Sequence, residues 1–132
     1  MTLVDTNILL DLTGQDGHWA DWSQRMLEAA ALRGPLLIND VIFAELSIGY
    51  DRIEDCLAFV ETLGLESRPT PPGALFLAGK VFRDYRRRGG PRSGVLPVFF
   101  IGAHAAHDDL ALLTRDPRRY ATNFPTLRLI AP

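Results

Sequence analysis

The sequence predicts an α/β domain: a three-layer α/β/α arrangement around a central, mostly parallel sheet of about five strands. Three observations carry that expectation. Short apolar runs alternate with longer stretches whose apolar residues recur at helical spacing, and strand-helix alternation is the pattern of a parallel sheet covered on both faces. The 132 residues are 47% apolar and 23% charged, which suits one domain over 1–132 with one core. No internal repeat or low-complexity segment interrupts that alternation.

The elements follow in order. Leu3-Val4 reads as an opening strand that meets an acid at Asp5 and turns at once into Ile8-Leu9-Leu10. Leu9, Leu10 and Leu12 suggest a short helix broken near Gly14 to Gly17, and Trp19 to Leu32 an amphipathic helix stopped by Gly34-Pro35. PLLIN, residues 35–39, is a second strand. Asn39 is placed to cap the helix DVIFAELSIG, which runs to Gly49. Asp51 to Leu63 forms another helix, ended by Gly64, and Leu65 to Arg68 a weak third strand. A long helix from about Gly73 to Arg88 follows, with Leu75, Leu77, Ala78, Val81, Phe82 and Tyr85 expected inward. VLPVFFIGAHAAHDD, residues 95–109, starts with a proline and is apolar nearly all round, as a helix laid centrally on the sheet would be. LALLT, 110–114, is the fourth strand and LRLI, 127–130, the last.

Composition excludes several classes. The longest mostly apolar run, Val95 to Ala106, contains Pro97 and His104 and is too short to span a bilayer, and the chain's start lacks the pattern of a signal peptide. A cytoplasmic protein is expected. The single cysteine, Cys56 in DCLAFV, forms no internal disulfide and reads as a packing residue. Charge is lopsided: residues 1–79 carry 4 basic and 12 acidic side chains, residues 80–132 carry 10 basic and 4 acidic, within a net charge of −2. Such asymmetry suits a cation on the acidic side and a polyanion on the basic side, or charges scattered over solvated helices.

Three acids stand out. Asp5 closes the first strand and Asp116 follows the fourth, and ligands in open α/β sheets bind beyond the carboxyl ends of the strands. Asp116 before Pro117 is equally an ordinary helix cap. Glu45 shares a helix face with Val41, Ile42, Ile48 and Gly49 and has no basic residue within a turn, so a cation, a base or an edge position must relieve it. Oxygen donors without histidine or cysteine suit Mg²⁺ or Mn²⁺. His104, His107 and Asp108 read instead as packing and surface residues. Arg86, Arg87, Arg88 and Arg92, with Arg115, Arg118 and Arg119, form the basic set that could face RNA; those at the end of the long helix also complement its dipole.

These residues resemble the PIN-domain ribonucleases, and within them the VapC-type toxins of prokaryotic toxin-antitoxin pairs. The likeness spans nearly the whole chain: LVDTNILLD carries Asp5, Thr6 and Asn7; NDVIFAELSIG carries Glu45; LLTRDPRRY carries Thr114 and Asp116. The resemblance implies a PIN-like fold and a Mg²⁺- or Mn²⁺-dependent endoribonuclease. It implies Asp5, Glu45 and Asp116 as metal ligands, with Thr6, Asn7 and Thr114 orienting ligands or water. It further implies a homodimer restrained by a VapB-like antitoxin.

One position departs. Where the family carries an acid after Leu-Pro, this chain has Val98, while Ile101, Gly102, Ala103 and Ala105 keep the rest of that motif. Asp108 and Asp109 lie about 15 Å further along a helix and cannot substitute. The expectation is a toxin-type fold whose RNA cleavage is weak or absent. The alternatives are a descendant that only binds antitoxin or RNA, and a phosphate-handling α/β domain such as a receiver or haloacid-dehalogenase-like phosphatase. Against the last, Asn7 stands where a second nucleophile-flanking acid belongs, and no lysine follows the late strands.

Overall fold

The computed structural model describes residues 1–14, 17–91 and 96–132. Five strands, β1 (Thr2–Val4), β2 (Leu36–Ile38), β3 (Leu65–Ser67), β4 (Ala111–Leu113) and β5 (Leu129–Ile130), form one sheet in the order β3-β2-β1-β4-β5. Every neighbouring pair is parallel. Seven helices are found among the described residues: α1 (Thr6–Thr13), α2 (Ala20–Ala31), α3 (Asp40–Ser47), α4 (Ile53–Thr62), α5 (Pro72–Arg87), α6 (Leu96–His107) and α7 (Arg118–Ala121).

Burial along the strands explains the layers. Successive residues of a strand point to opposite faces, yet Leu3 and Val4, Leu37 and Ile38, and Leu112 and Leu113 are all fully buried. Both faces of the sheet centre are therefore covered, as the unbroken apolar runs require. In register, Leu3 lies between Leu37 of β2 and Leu112 of β4. Each such side chain contributes roughly 1.5–3 kcal/mol by leaving water. The α6 helix adds Phe99, Ile101, Ala103 and Ala105 to the same core, and Gly102 lets it approach the Phe124 ring so closely that a Cβ there would lie 2.5 Å from the ring.

The elements match the expected ones within a residue or two, and β3 and β5 are shorter than their apolar runs. Asn39 caps α3 as anticipated, its Oδ1 accepting from Ile42 N at 2.9 Å. Cys56 is buried in the core, where desolvation raises its thiol pKa. Two expectations need correction. The face of α3 that carries Glu45 meets the core only along one edge: of its expected neighbours Ile42 is buried, together with Leu46, while Ile48 is 85% exposed. Leu75 of α5 points outward at 42% exposure, because Ala74 and Ala78 are the residues that let α5 settle closely. No helix among the described residues is long and apolar enough to cross a membrane.

Candidate functional site

The site grows from the carboxyl end of β1. Asp5 is the N-cap of α1, its Oδ1 accepting from Thr6 N at 2.8 Å. Capping fixes the carboxylate at the strand's end, since the first-turn amide otherwise lacks a partner. Its Oδ2 accepts two hydroxyls, Thr114 Oγ1 at 2.7 Å and Tyr120 Oη at 2.9 Å. Burial raises the Asp5 pKa above the ordinary 3.8, although the Thr114, Tyr120 and Thr6 bonds and the Arg119 charge all oppose it. Burial, with the Asp5 charge alongside, likewise pushes the Tyr120 phenol well above its usual range, so Tyr120 is a donor throughout the physiological range.

Thr6 joins the two nearer acids. Its backbone serves Asp5 while its hydroxyl donates to Glu45 Oε1 at 2.7 Å. Glu45, half-buried on α3, thus has a hydroxyl partner where the sequence offered no base. Thr114, directly after β4, is the second joint: it donates to Asp5 and accepts from Asn7 Nδ2 at 3.3 Å and Asp116 N at 3.1 Å. Asn7 Oδ1 in turn accepts from Arg115 N at 3.2 Å. These bonds lock the turn after β4 to the start of α1.

A cavity of about 100 Å³ opens here, lined among others by Asp5, Glu45, Val98, Arg119 and Tyr120. Thr6 and Asn7 also line it, whereas Asp116 does not. The Asp116 carboxylate is 43% exposed, and its nearest cation is Arg119 at 3.9 Å; α7 itself has no side-chain cap. Of the basic set, Arg88, Arg118 and Arg119 line a neighbouring cavity. Arg115 is turned to Asp11 at 2.9 Å and lies over the Trp19 ring. Arg86 and Arg87 end α5, and Arg92 lies outside the described residues. His104 is fully buried between Asn39 and Asp108, and His107 bonds Asp108 at 2.7 Å from the surface.

This donor set does not fit a divalent cation held by three acids. Two carboxylates line the cavity, Asp5 already accepts three hydrogen bonds, and Val98, 5% exposed, presents an alkyl wall. Among the described residues no group of three His, Cys, Asp or Glu side chains could hold a metal. What the arrangement offers is a small acidic recess with fixed hydroxyl donors and one bordering guanidinium. Sequence reasoning missed Tyr120; its signal was a polar-tipped aromatic one helical turn beyond Asp116.

The family model described as PIN domain matches residues 2–125. No curated protein matches the sequence. Among solved structures, the chain is similar to VapBC2 from Rickettsia felis bound to a DNA fragment from its promoter, at 20% identity and TM-score 0.77, covering 99% of this chain and 98% of that one. It is also similar to VapBC-1 from nontypeable Haemophilus influenzae (17% identity, TM-score 0.73, 98% and 96% covered). A toxin-antitoxin complex from Klebsiella pneumoniae gives 21% identity and TM-score 0.70 over the same shares. At these identities the likeness is one of fold.

Proposed function

Because this chain belongs to the PIN domain family, we propose that it is the toxin component of a toxin-antitoxin pair whose endoribonuclease site has been reduced to two carboxylates, so that it cleaves RNA slowly or not at all. The observation that carries this reading is Val98, an alkyl group in the wall of the cavity that Asp5 and Glu45 share. Similar folds solved as VapBC and toxin-antitoxin complexes support a VapB-like antitoxin as partner. An apolar groove lined by Val41, Ile48, Leu96 and Phe100 beside Glu45 gives such a partner a surface to cover. The homodimer is proposed from the resemblance.

Mg²⁺ or Mn²⁺ is the cofactor the resemblance implies; Asp5 and Glu45 are the carboxylates that would hold it, and it would supply Lewis-acid activation of water and of the phosphodiester. This chain's residues supply less of that setting. Asp5 and Glu45 are held rigid by Thr6, and Thr114 and Tyr120 draw Asp5 away from further ligation by occupying Oδ2. Asp116, outside the cavity, adds no ligand to it, and the basic residues beside it, Arg118 and Arg119, would hold RNA near the recess.

The test is a cleavage assay on total RNA with Mg²⁺ or Mn²⁺, comparing the chain as it stands, Val98→Asp, and Val98→Asp with Asp5→Ala. The expected result is at least about a tenfold gain for Val98→Asp, abolished by Asp5→Ala. Cleavage by the unaltered chain at the Val98→Asp rate overturns the proposal. A binding-only descendant is the second reading, favoured by the three hydrogen bonds that Asp5 already accepts; it predicts no gain from Val98→Asp in a folded protein.

A further inference from the structure

Beside the acidic recess lies a larger cavity, about 380 Å³, between the end of α5 and α7. Its residues differ in kind from those of the recess: Arg88, Arg118 and Arg119 on the rim, Tyr85 and Phe99 in the wall. The two cavities share Val98 and Arg119, so they adjoin. Resting on the RNA-directed reading above, we propose that this cavity is a nucleotide subsite, holding one nucleotide of a single-stranded RNA whose neighbouring phosphodiester lies at Asp5 and Glu45.

Four features argue for a built pocket rather than a solvated helix end. Arg88 Nη2 donates to Asn123 Oδ1 at 2.6 Å, tying the guanidinium at the end of α5 across to the segment after α7. A guanidinium held in one orientation presents a planar fork to phosphate or a face to a base. Tyr85 is braced twice, by donation to the Pro91 carbonyl at 2.9 Å and by Gly90, whose missing side chain lets the backbone lie against the phenol ring; a Cβ there would sit 2.4 Å from it. Tyr85 also packs on Phe99 and Phe82, so the apolar wall is continuous with the core. The volume falls within the range of small-ligand sites, with few polar groups converging on an apolar floor. Phosphate positions while the base face recognises: the arginines serve the first, and the half-buried Tyr85 ring offers the second, with Phe99 behind it at 1% exposure.

An acidic peptide would satisfy the arginines but leave the accessible Tyr85 ring without a stacking partner, which is why RNA is the occupant proposed. The experiment measures equilibrium binding of a fluorescently labelled single-stranded oligoribonucleotide to the full chain, in EDTA so that nothing is cleaved. The pair Arg88→Ala with Arg118→Ala is compared with a control pair, Arg25→Ala with Arg33→Ala, on and just after the exposed side of α2; both pairs remove two positive charges from exposed positions. Asn123→Ala, which keeps every charge, is the third variant, and circular dichroism establishes folding of each. The expected result is a loss of about tenfold or more for the Arg88 and Arg118 pair, a loss of several-fold for Asn123→Ala, and less than twofold for the control pair. Equal losses in both pairs overturn the subsite in favour of general charge attraction, with the RNA-directed reading intact. Poly-glutamate bound as tightly as RNA, and released by the same substitutions, overturns it in favour of a peptide partner. If the unaltered chain binds no RNA, the subsite and the nuclease-derived reading fall together.

Discussion

At the scale of single residues, the site is decided by how many groups Asp5 has to satisfy. A buried carboxylate needs donors, and here three converge on it from Thr6, Thr114 and Tyr120. The tyrosine is the one that sequence motifs did not flag, because a Tyr in a short helical turn usually reads as packing. Tyr120→Phe keeps the ring and removes the donor. With Asp5 still bonded to Thr6 and Thr114, the expected cost is about 1–2 kcal/mol of unfolding free energy, near the lower end for a hydrogen bond to a charged group. Urea denaturation at neutral pH reads it directly, and a change within experimental error would show that the bond contributes nothing to stability. Asp5 and Glu45 stood out as candidates because a strand end and an acid among apolar neighbours are local patterns, whereas Thr6, Asn7 and Thr114 came with the resemblance; hydrogen bonds bring the five together. The position of Asp116 was not: whether its carboxylate turns into the recess or toward Arg119 depends on the turn after β4, which local pattern leaves open.

At the scale of elements, α6 shows what a uniformly apolar helix can conceal. Its apolar character nearly all round announced a central helix, and seven of its residues are buried; His104 among them is a polar link rather than a ligand. Its Nδ1 meets the Asn39 amide at 3.1 Å and its Nε2 meets Asp108 at 3.1 Å, so the capping residue of α3 is held by α6. Burial lowers the His104 pKa below 6.5, outweighing the opposing pull of Asp108 and Asp40, with Arg68 adding to the lowering. A neutral buried histidine that must take a proton on unfolding makes the unfolded chain bind more protons below pH 6.5. Stability is therefore complete above that pH and falls as pH drops through the window below it. Asp108, with its pKa lowered from 3.8, adds its own loss only in more acid solution. Thermal melts from pH 7.5 to 4.5 are expected to show the decline, and His104→Gln to flatten it; parallel curves for the two proteins would assign the decline elsewhere. Helix existence and order were legible here because 3.6-residue periodicity is a one-dimensional signal. The outward turn of Leu75 and of Ile48 on the Glu45 face was not, since which side of a helix meets the sheet is settled by neighbours distant in sequence.

At the scale of the whole molecule, the lopsided charge acquires a geometry. Strands β3, β2 and β1 come from the acidic first 79 residues and β4 and β5 from the basic remainder. The boundary runs between β1 and β4, and Asp5 and Thr114, bonded across it, mark the site. The net charge of −2 thus hides two sequence halves of opposite sign, and a molecule with a sequence pI of about 5.9 can still bind a polyanion where Arg88, Arg118 and Arg119 line one cavity. That argument makes a quantitative demand. If Arg88, Arg118 and Arg119 each neutralise one phosphate, single-stranded RNA releases counterions with a slope of roughly 0.7 per contact in log K against log salt, about 2 for the three. Raising salt from about 50 to 200 mM should then weaken RNA binding about twentyfold, while the acidic side contributes only a repulsion that the same salt screens. Fluorescence anisotropy across that range measures the slope. A slope near zero would mean that the charge division serves the fold or a protein partner, and that RNA, if bound at all, is held by the aromatic wall rather than by the arginines.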